Sequence, residues 1–235
     1  MSERQSHDSA SWLRPKTAVF TAIAAMTLYV LYHNERFLIE PSNPIWEHYA
    51  EIAWWLIPHG VAGACALFLA PLQFSDRLRK RYTRTHHIVG RIYVVGAVVL
   101  APLGVYIQYI SEPTGMPREF TVLAIVDAAM LMSTTLIAFL FAIRRRITQH
   151  RQWMTRSYAV ALVFFQGRMV GGLLGIDDSV NATMAAIWSC LALSLLFAEI
   201  ANSYNDIRLA ARSPEHRPIR QPTPAYSLDA PTGVA

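Results

Sequence analysis

The sequence predicts an all-α protein, a bundle of six transmembrane helices with both termini in the cytoplasm. Three observations lead to this fold class. The chain of 235 residues is 53% hydrophobic and only 16% charged, whereas soluble domains carry about a quarter charged residues. The charges are segregated, so that long uncharged runs alternate with basic connections. Most of these runs approach the roughly 20 residues that a helix needs to cross a bilayer.

Each uncharged run is interpreted as one helix, because hydrocarbon offers no partner to an unpaired backbone group. The first run could instead be a signal peptide, with Arg14 and Lys16 as its charged region. No cleavage site of the A-x-A kind follows it, so we predict a retained helix. The six predicted spans cover residues 17–32, 52–72, 88–110, 120–143, 158–176 and 182–201.

The connections predict the orientation of these spans. The termini and the alternate loops that share their side hold 17 Lys and Arg residues, against 2 on the other side. Because basic residues mark the cytoplasmic side, we predict a multi-pass protein of the bacterial inner membrane. Residues 1–16 form a cytoplasmic segment, 17–204 the membrane domain, and 205–235 a disordered tail with five prolines.

Composition also limits the partners of the protein. The net charge of +5 comes from basic residues beside the spans. Basic residues in that position indicate the orientation of a membrane protein and do not indicate a nucleic-acid-binding surface. The lipid bilayer is therefore the predicted partner, and no nucleic acid is expected. Cys65 and Cys190 lie in apolar runs without CxxC spacing, so we interpret both as packing residues.

Three ionisable residues are predicted to lie at one depth inside the membrane. At about 1.5 Å per residue, His59, Asp127 and Arg168 each fall about 10–12 Å below the outer edge of a different helix. An arginine at mid-helix is unfavourable by about 2.5–3.5 kcal/mol, which a carboxylate partner offsets. We therefore predict an Arg168–Asp127 pair with His59 nearby, either as a functional pocket or as a device that fixes helix packing.

A second polar layer is predicted at the cytoplasmic surface. His86 and His87 begin the third span, and His150 precedes the fifth. If the fifth helix starts near Gln149, then His150 and Arg168 share one face, because eighteen residues make about five whole turns. Small residues follow His86 and His150 along their helices, which would let a second helix or a flat cofactor approach closely.

Four blocks of sequence carry a resemblance to a known family. They are PHGVAG (58–63) with APLQF (70–74), THHIVGRIYV (85–94), QHRQWMTRS (149–157), and Arg168. Together they resemble the bacterial multi-pass family catalogued as domain of unknown function 2306, over roughly residues 52–202. The resemblance implies that the histidines of the family correspond to His59, His86 and His150. Ala70 stands where a glycine is expected and His87 where an arginine is expected, so either His86 or His87 could be a ligand.

Several functions are compatible with these residues, and whether the protein is an enzyme stays open. One is a redox protein that binds haem b through His150 and either His86 or His87, with a quinone or redox protein as partner, since haem requires axial imidazoles from facing helices. A second is a proton-coupled transporter that uses His59, Asp127 and Arg168. The others are a metal- or quinone-binding enzyme or assembly factor, and a non-catalytic scaffold. No metal site is predicted, because the histidines lie at two depths.

Overall fold

The regular structure of the described part of the chain is entirely helical, which confirms the predicted fold class there. The computed structural model describes residues 15–36, 40, 42–176 and 179–211. Short 3₁₀ turns at Ala50–Ile52 and Glu112–Thr114 precede α3 and follow α5. The α-helices are α1 (Pro15–His33), α2 (Ile45–Tyr49), α3 (Ala53–Gln73), α4 (Asp76–Arg81), α5 (Thr83–Ser111), α6 (Arg118–Ile143), α7 (Ile147–Ala161), α8 (Val163–Leu174) and α9 (Val180–Ala210).

Five stretches of the described chain are long and apolar enough to cross a membrane. They are Ala50–Gln73, Thr83–Ser111, Arg118–Ile143, Ile147–Leu174 and Val180–Ala210. A multi-pass membrane protein is thereby confirmed. Helix α1 occupies the position of the first predicted span but is not among these five, so the count of six spans and the cytoplasmic location of both termini stay predictions.

Several helices extend beyond the apolar runs that predicted them. Helix α5 begins at Thr83 instead of 88, α7 begins at Ile147 instead of 158, and α9 ends at Ala210 instead of 201. Hydropathy marks only the part of a helix inside hydrocarbon, while backbone hydrogen bonding continues through polar residues at the interface. Helix α9 also passes the predicted boundary at 204, and residues 212–235 of the predicted disordered tail lie outside the described residues.

The fifth predicted span is broken between α7 and α8 at Leu162. The Leu162 N–H donates to the Ala159 carbonyl at 3.3 Å, which is a tighter, three-residue turn. Such a turn advances the helix by a different angle, so the five-turn relation between His150 and Arg168 no longer applies. Pro58 and Pro102, by contrast, lie inside the continuous helices α3 and α5.

The helices pack mainly against their neighbours in sequence, α3 on α5, α5 on α6 and α6 on α7, while α9 returns against α7 and α8 and α1 lies on α8. Small residues allow close packing: a Cβ at Gly96 of α5 would lie 3.1 Å from the Ala62 carbonyl of α3. We call the end where α3 and α6 finish and α5 and α7 begin the basic end, and the opposite end the far end.

Candidate functional site

Two histidines come together at the basic end of the bundle. His86 lies in the first turn of α5 and His150 in the first turn of α7, and these two helices run away from the same end. The two rings are near enough for the charge of one to act on the other. The structure therefore places at one end of the bundle the two histidines that the sequence assigned to its cytoplasmic layer.

The orientation of the His150 ring is set by a backbone group. Its Nδ1 lies 2.9 Å from the carbonyl oxygen of Ala138, near the end of α6. A carbonyl only accepts, so Nδ1 carries the hydrogen and donates it, and Nε2 of the neutral ring keeps its lone pair. Histidine ligands of metals and haem commonly have their second nitrogen fixed in this way.

His86 presents an unpaired nitrogen to the same region. Its Nδ1 is buried and has no hydrogen-bond partner within the described part of the chain. Its backbone carbonyl accepts a hydrogen bond from Gln73 Nε2 at 3.2 Å, which attaches the start of α5 to the end of α3. A buried nitrogen without a partner is uncommon in a native structure and calls for an explanation such as an absent ligand.

His87 differs from its neighbour in exposure. The residue is exposed, while His86 is half-buried, and the centroids of the two rings lie 6.0 Å apart. Of the two alternatives left open by the sequence, His86 is the one whose ring turns toward the packed helices.

Cationic side chains surround this pair of histidines. Arg79 of α4 is near enough to act electrostatically on both rings, and Arg151 acts on His150. Arg79 also donates to Asp76 Oδ1 at 2.7 Å. The basic end therefore combines two imidazoles with guanidinium groups, an arrangement suited to a ligand that carries carboxylates or phosphates.

A buried network of hydroxyl groups lies deeper on the same helix faces. Tyr93 Oη and Ser157 Oγ are 2.7 Å apart, and Thr135 Oγ1 lies 2.7 Å from Ser157 Oγ. All three residues are fully buried. Sequence reasoning placed Tyr93 and Ser157 on small-residue faces and missed their hydrogen bonds. The sequence did carry one signal of this network, a repeated spacing. Tyr93 follows His86 by seven residues and Ser157 follows His150 by seven, which is about two helical turns or 10 Å.

The structure places the three residues of the predicted pocket on three helices, His59 on α3, Asp127 on α6 and Arg168 on α8. Arg168 is half-exposed and pairs with Glu35, which follows α1. The Oδ1 of Asp127 is buried on α6 without a hydrogen-bond partner among the described residues. Arg168 thus has Glu35 as an ion-pair partner, and its predicted pairing with Asp127 stays a prediction. A role in function for each of these residues separately stays a prediction.

Local packing explains the direction of Arg168. Its neighbour Gly167 faces α9, where a Cβ would lie 2.7 Å from Ile187 Cγ1, and Gly172 faces Tyr29 of α1 equally closely. Residue 168 lies between these two contact faces and points past the edge of α1 toward Glu35. The break at Leu162 precedes this stretch, so a straight helix drawn from sequence gave the wrong rotation.

His59 is oriented much as His150 is. Its Nδ1 lies 3.2 Å from the Leu100 carbonyl oxygen of α5. Gly104 makes room for the ring, since a Cβ there would lie 3.1 Å from His59 Cε1. Nowhere in the described chain do three His, Cys, Asp or Glu residues lie close enough together to hold a metal.

Helices α7 and α9 are joined by polar contacts near the basic end. Arg156 forms two hydrogen bonds with Glu199, at 2.5 and 3.0 Å, and its guanidinium lies over the Trp153 ring at 4.7 Å. Gln152 donates to Asp206 at 2.8 Å. These contacts hold the helix that carries His150 against α9.

Comparison with protein families gives a match over a range that contains His59, His86 and His150. A family model described as "Predicted membrane protein (DUF2306)" matches residues 56–202. This confirms the resemblance drawn from the sequence, and the matched range begins after α1 and α2. Comparisons with curated proteins and with solved structures find no match.

Proposed function

Since the chain belongs to the predicted membrane protein family DUF2306, whose description names no activity, we propose a function from the geometry: a membrane redox protein that binds b-type haem between His86 and His150. One observation carries the proposal. The Nδ1 of His150 is fixed by a backbone carbonyl, which leaves Nε2 available. At the same end of the bundle lies His86, whose buried Nδ1 has no hydrogen-bond partner among the described residues.

The residues present fit such a group. Bis-imidazole ligation requires one histidine from each of two facing helices, and α5 and α7 supply one each from the same end of the bundle. Arg79 and Arg151 lie near these rings and would bind the propionates. A bound haem would supply one-electron chemistry, and a quinone or redox protein would exchange the electron.

This proposal predicts a visible spectrum that depends on particular histidines. The full-length protein, expressed with adequate haem and purified in mild detergent, should show a low-spin spectrum with a Soret band that shifts on reduction by dithionite. Either His150→Ala or His86→Ala should abolish the low-spin signal, because six-coordinate ligation needs both imidazoles.

His87→Ala is the matched control, because it removes an adjacent but exposed imidazole, and His59→Ala tests the far end. Both variants should keep their haem. Equal loss in the His59 and His150 variants would show that the site is assigned wrongly. A well-folded wild-type protein without any Soret band would overturn the haem proposal.

A second function, proton-coupled transport, is favoured by Asp127 alone. The Asp127 side chain, only 7% exposed, lies within the span formed by α6, and its Oδ1 has no hydrogen-bond partner in the described part of the chain. Ionisable groups inside spans mark proton and ion pathways, and a carboxyl without a partner is best accommodated in its neutral form. Under this proposal Asp127 takes up and releases a proton during each transport cycle.

Carbodiimide labelling tests this second proposal. Dicyclohexylcarbodiimide reacts with protonated carboxyls in apolar surroundings, so mass spectrometry of the treated protein should find the adduct on Asp127. Labelling should disappear in Asp127→Asn, with Glu119, exposed at the start of α6, as an unlabelled internal control. An unlabelled Asp127 in the folded protein would count against the proposal.

A further inference from the structure

A groove opens at the basic end between α1 and the end of α3. Its volume is about 500 Å³. Lys16, Thr17 and Ser75 supply its polar wall, and Phe20, Ala24 and Phe74 its apolar wall. Helix α1 lies outside the matched range 56–202, so five of the eight residues that line this groove lie outside the family domain.

The groove changes from polar to apolar with depth. Lys16 and Thr17 lie in the first turn of α1, while Ala24 lies eight residues further along, about 12 Å toward the middle of the bundle. Phe20 and Phe74 form the side of the groove, with ring centroids 5.7 Å apart. A ligand with a polar head and an apolar chain matches this gradient.

The polar mouth of the groove carries an excess of positive charge. Lys16 is half-exposed and donates to the Phe74 carbonyl oxygen, and its Nζ lies 3.8 Å from Asp76 Oδ2. Arg79 and Arg151 are near enough to act electrostatically on Lys16. Lys16 and Arg79 thus share the Asp76 carboxylate, and Arg151 adds a third positive charge nearby. The mouth is therefore complementary to an added anion.

We propose that this groove binds one anionic phospholipid, with its phosphate at Lys16 and Arg79 and an acyl chain along Phe20 and Ala24. The phosphate accepts hydrogen bonds from the ammonium and guanidinium groups. The acyl chain covers the apolar wall between α1 and α3 and so stabilises the contact of α1 with the family domain. Arg79 also lies near the His86–His150 pair, so this site adjoins the proposed haem site at the basic end.

Native mass spectrometry of the full-length protein tests the proposal. Phosphatidylglycerol and phosphatidylcholine with the same acyl chains are titrated in separate experiments. Wild-type protein should bind one phosphatidylglycerol in preference to phosphatidylcholine. Lys16→Gln should weaken phosphatidylglycerol binding about fivefold, the effect of about 1 kcal/mol per basic residue at a membrane surface. Lys16→Arg should restore it, and Ala24→Phe, which fills the apolar wall, should weaken binding of both lipids.

Lys80→Gln is the matched control. It removes one exposed positive charge from α4 without touching the groove, and it should leave binding unchanged. An equal loss in Lys80→Gln and Lys16→Gln would overturn the proposal, because general surface charge would then explain the binding. Displacement of the lipid by millimolar inorganic phosphate, together with no effect of Ala24→Phe, would also overturn it in favour of a simple anion site.

Discussion

His150 and His59 are held in the same way near opposite ends of the bundle, yet their surroundings differ. Each ring has its Nδ1 against a backbone carbonyl of a neighbouring helix, at 2.9 Å for His150 and 3.2 Å for His59. Near His150 lie a second histidine, His86, and two arginines. Near His59 the packing is made by Gly104 and Leu100 of α5.

An oriented imidazole is therefore a candidate ligand-binding site only where a second potential ligand residue lies near it. Helices α5 and α7 begin at the same end, so residues in their first turns meet there. At the far end the remaining candidates separate, because Arg168 turns outward to Glu35 and Asp127 stays inside α6. Three substitutions would break or sharpen this contrast.

The largest effect is expected from Ser157→Ala, below the histidine pair. Ser157 is the common partner of the Tyr93 and Thr135 hydroxyls, both fully buried. Leaving these groups with one partner fewer should lower the free energy of unfolding by about 1–3 kcal/mol. Reversible unfolding in mixed detergent micelles measures this change.

Ser189→Ala makes the same chemical change where the hydroxyl bonds only to the Ala185 carbonyl of its own helix. It should alter stability by less than about 0.5 kcal/mol. If both serine variants lower the free energy of unfolding equally, the hydroxyl network contributes no more to stability than a hydrogen bond within one helix.

An intermediate effect is expected at Arg168. Because the pair with Glu35 is partly exposed, with 50% of the arginine side chain accessible, its coupling energy should be about 0.5–1 kcal/mol. A double-mutant cycle of Arg168→Ala and Glu35→Ala should measure this coupling. The parallel cycle of Arg168→Ala and Asp127→Ala should be additive within about 0.5 kcal/mol. Coupling in the second cycle alone would restore the pocket predicted from sequence.

The smallest effect on stability is expected from Gly104→Ala. The new Cβ would press on His59 Cε1, so the ring must shift by a few tenths of an ångström. The helix-propensity gain of about 1 kcal/mol opposes the strain, leaving stability nearly unchanged. Imidazole ¹⁵N NMR should nonetheless show a weakened bond from Nδ1 to Leu100. Gly60→Ala, where no atom lies within 4 Å of the added Cβ, should leave the His59 signals unaltered.

Much of the candidate site at the basic end could be predicted from the chain alone. His86 and His150 each lie in or after a basic stretch and precede an apolar run, so the charge and hydropathy pattern places both at one membrane surface. The choice between His86 and His87 could not be made in this way, because consecutive residues differ only by a rotation of about 100° around the helix. That rotation is decided by contacts such as the one from Gln73 to the His86 carbonyl.

The far end shows why equal depth in the membrane predicts contacts between residues less reliably than hydropathy predicts membrane spans. Depth is a property of position along one helix, whereas an ion pair also needs the right rotation of two helices. A single tight turn at Leu162 changes that rotation for every residue after it. Glu35 was available in sequence as an acid just beyond α1, but nothing in sequence indicated that α1 packs against α8.

The sequence by itself determined the membrane-embedded helical architecture and the membrane family, because both follow from residue types summed along the chain. Tertiary structure alone decided which polar groups meet: Arg168 with Glu35, Tyr93 and Thr135 with Ser157, and His150 with the Ala138 carbonyl. The physical reason is that hydropathy is additive and local, while a hydrogen bond or ion pair depends on the rotation and contact of two separate helices.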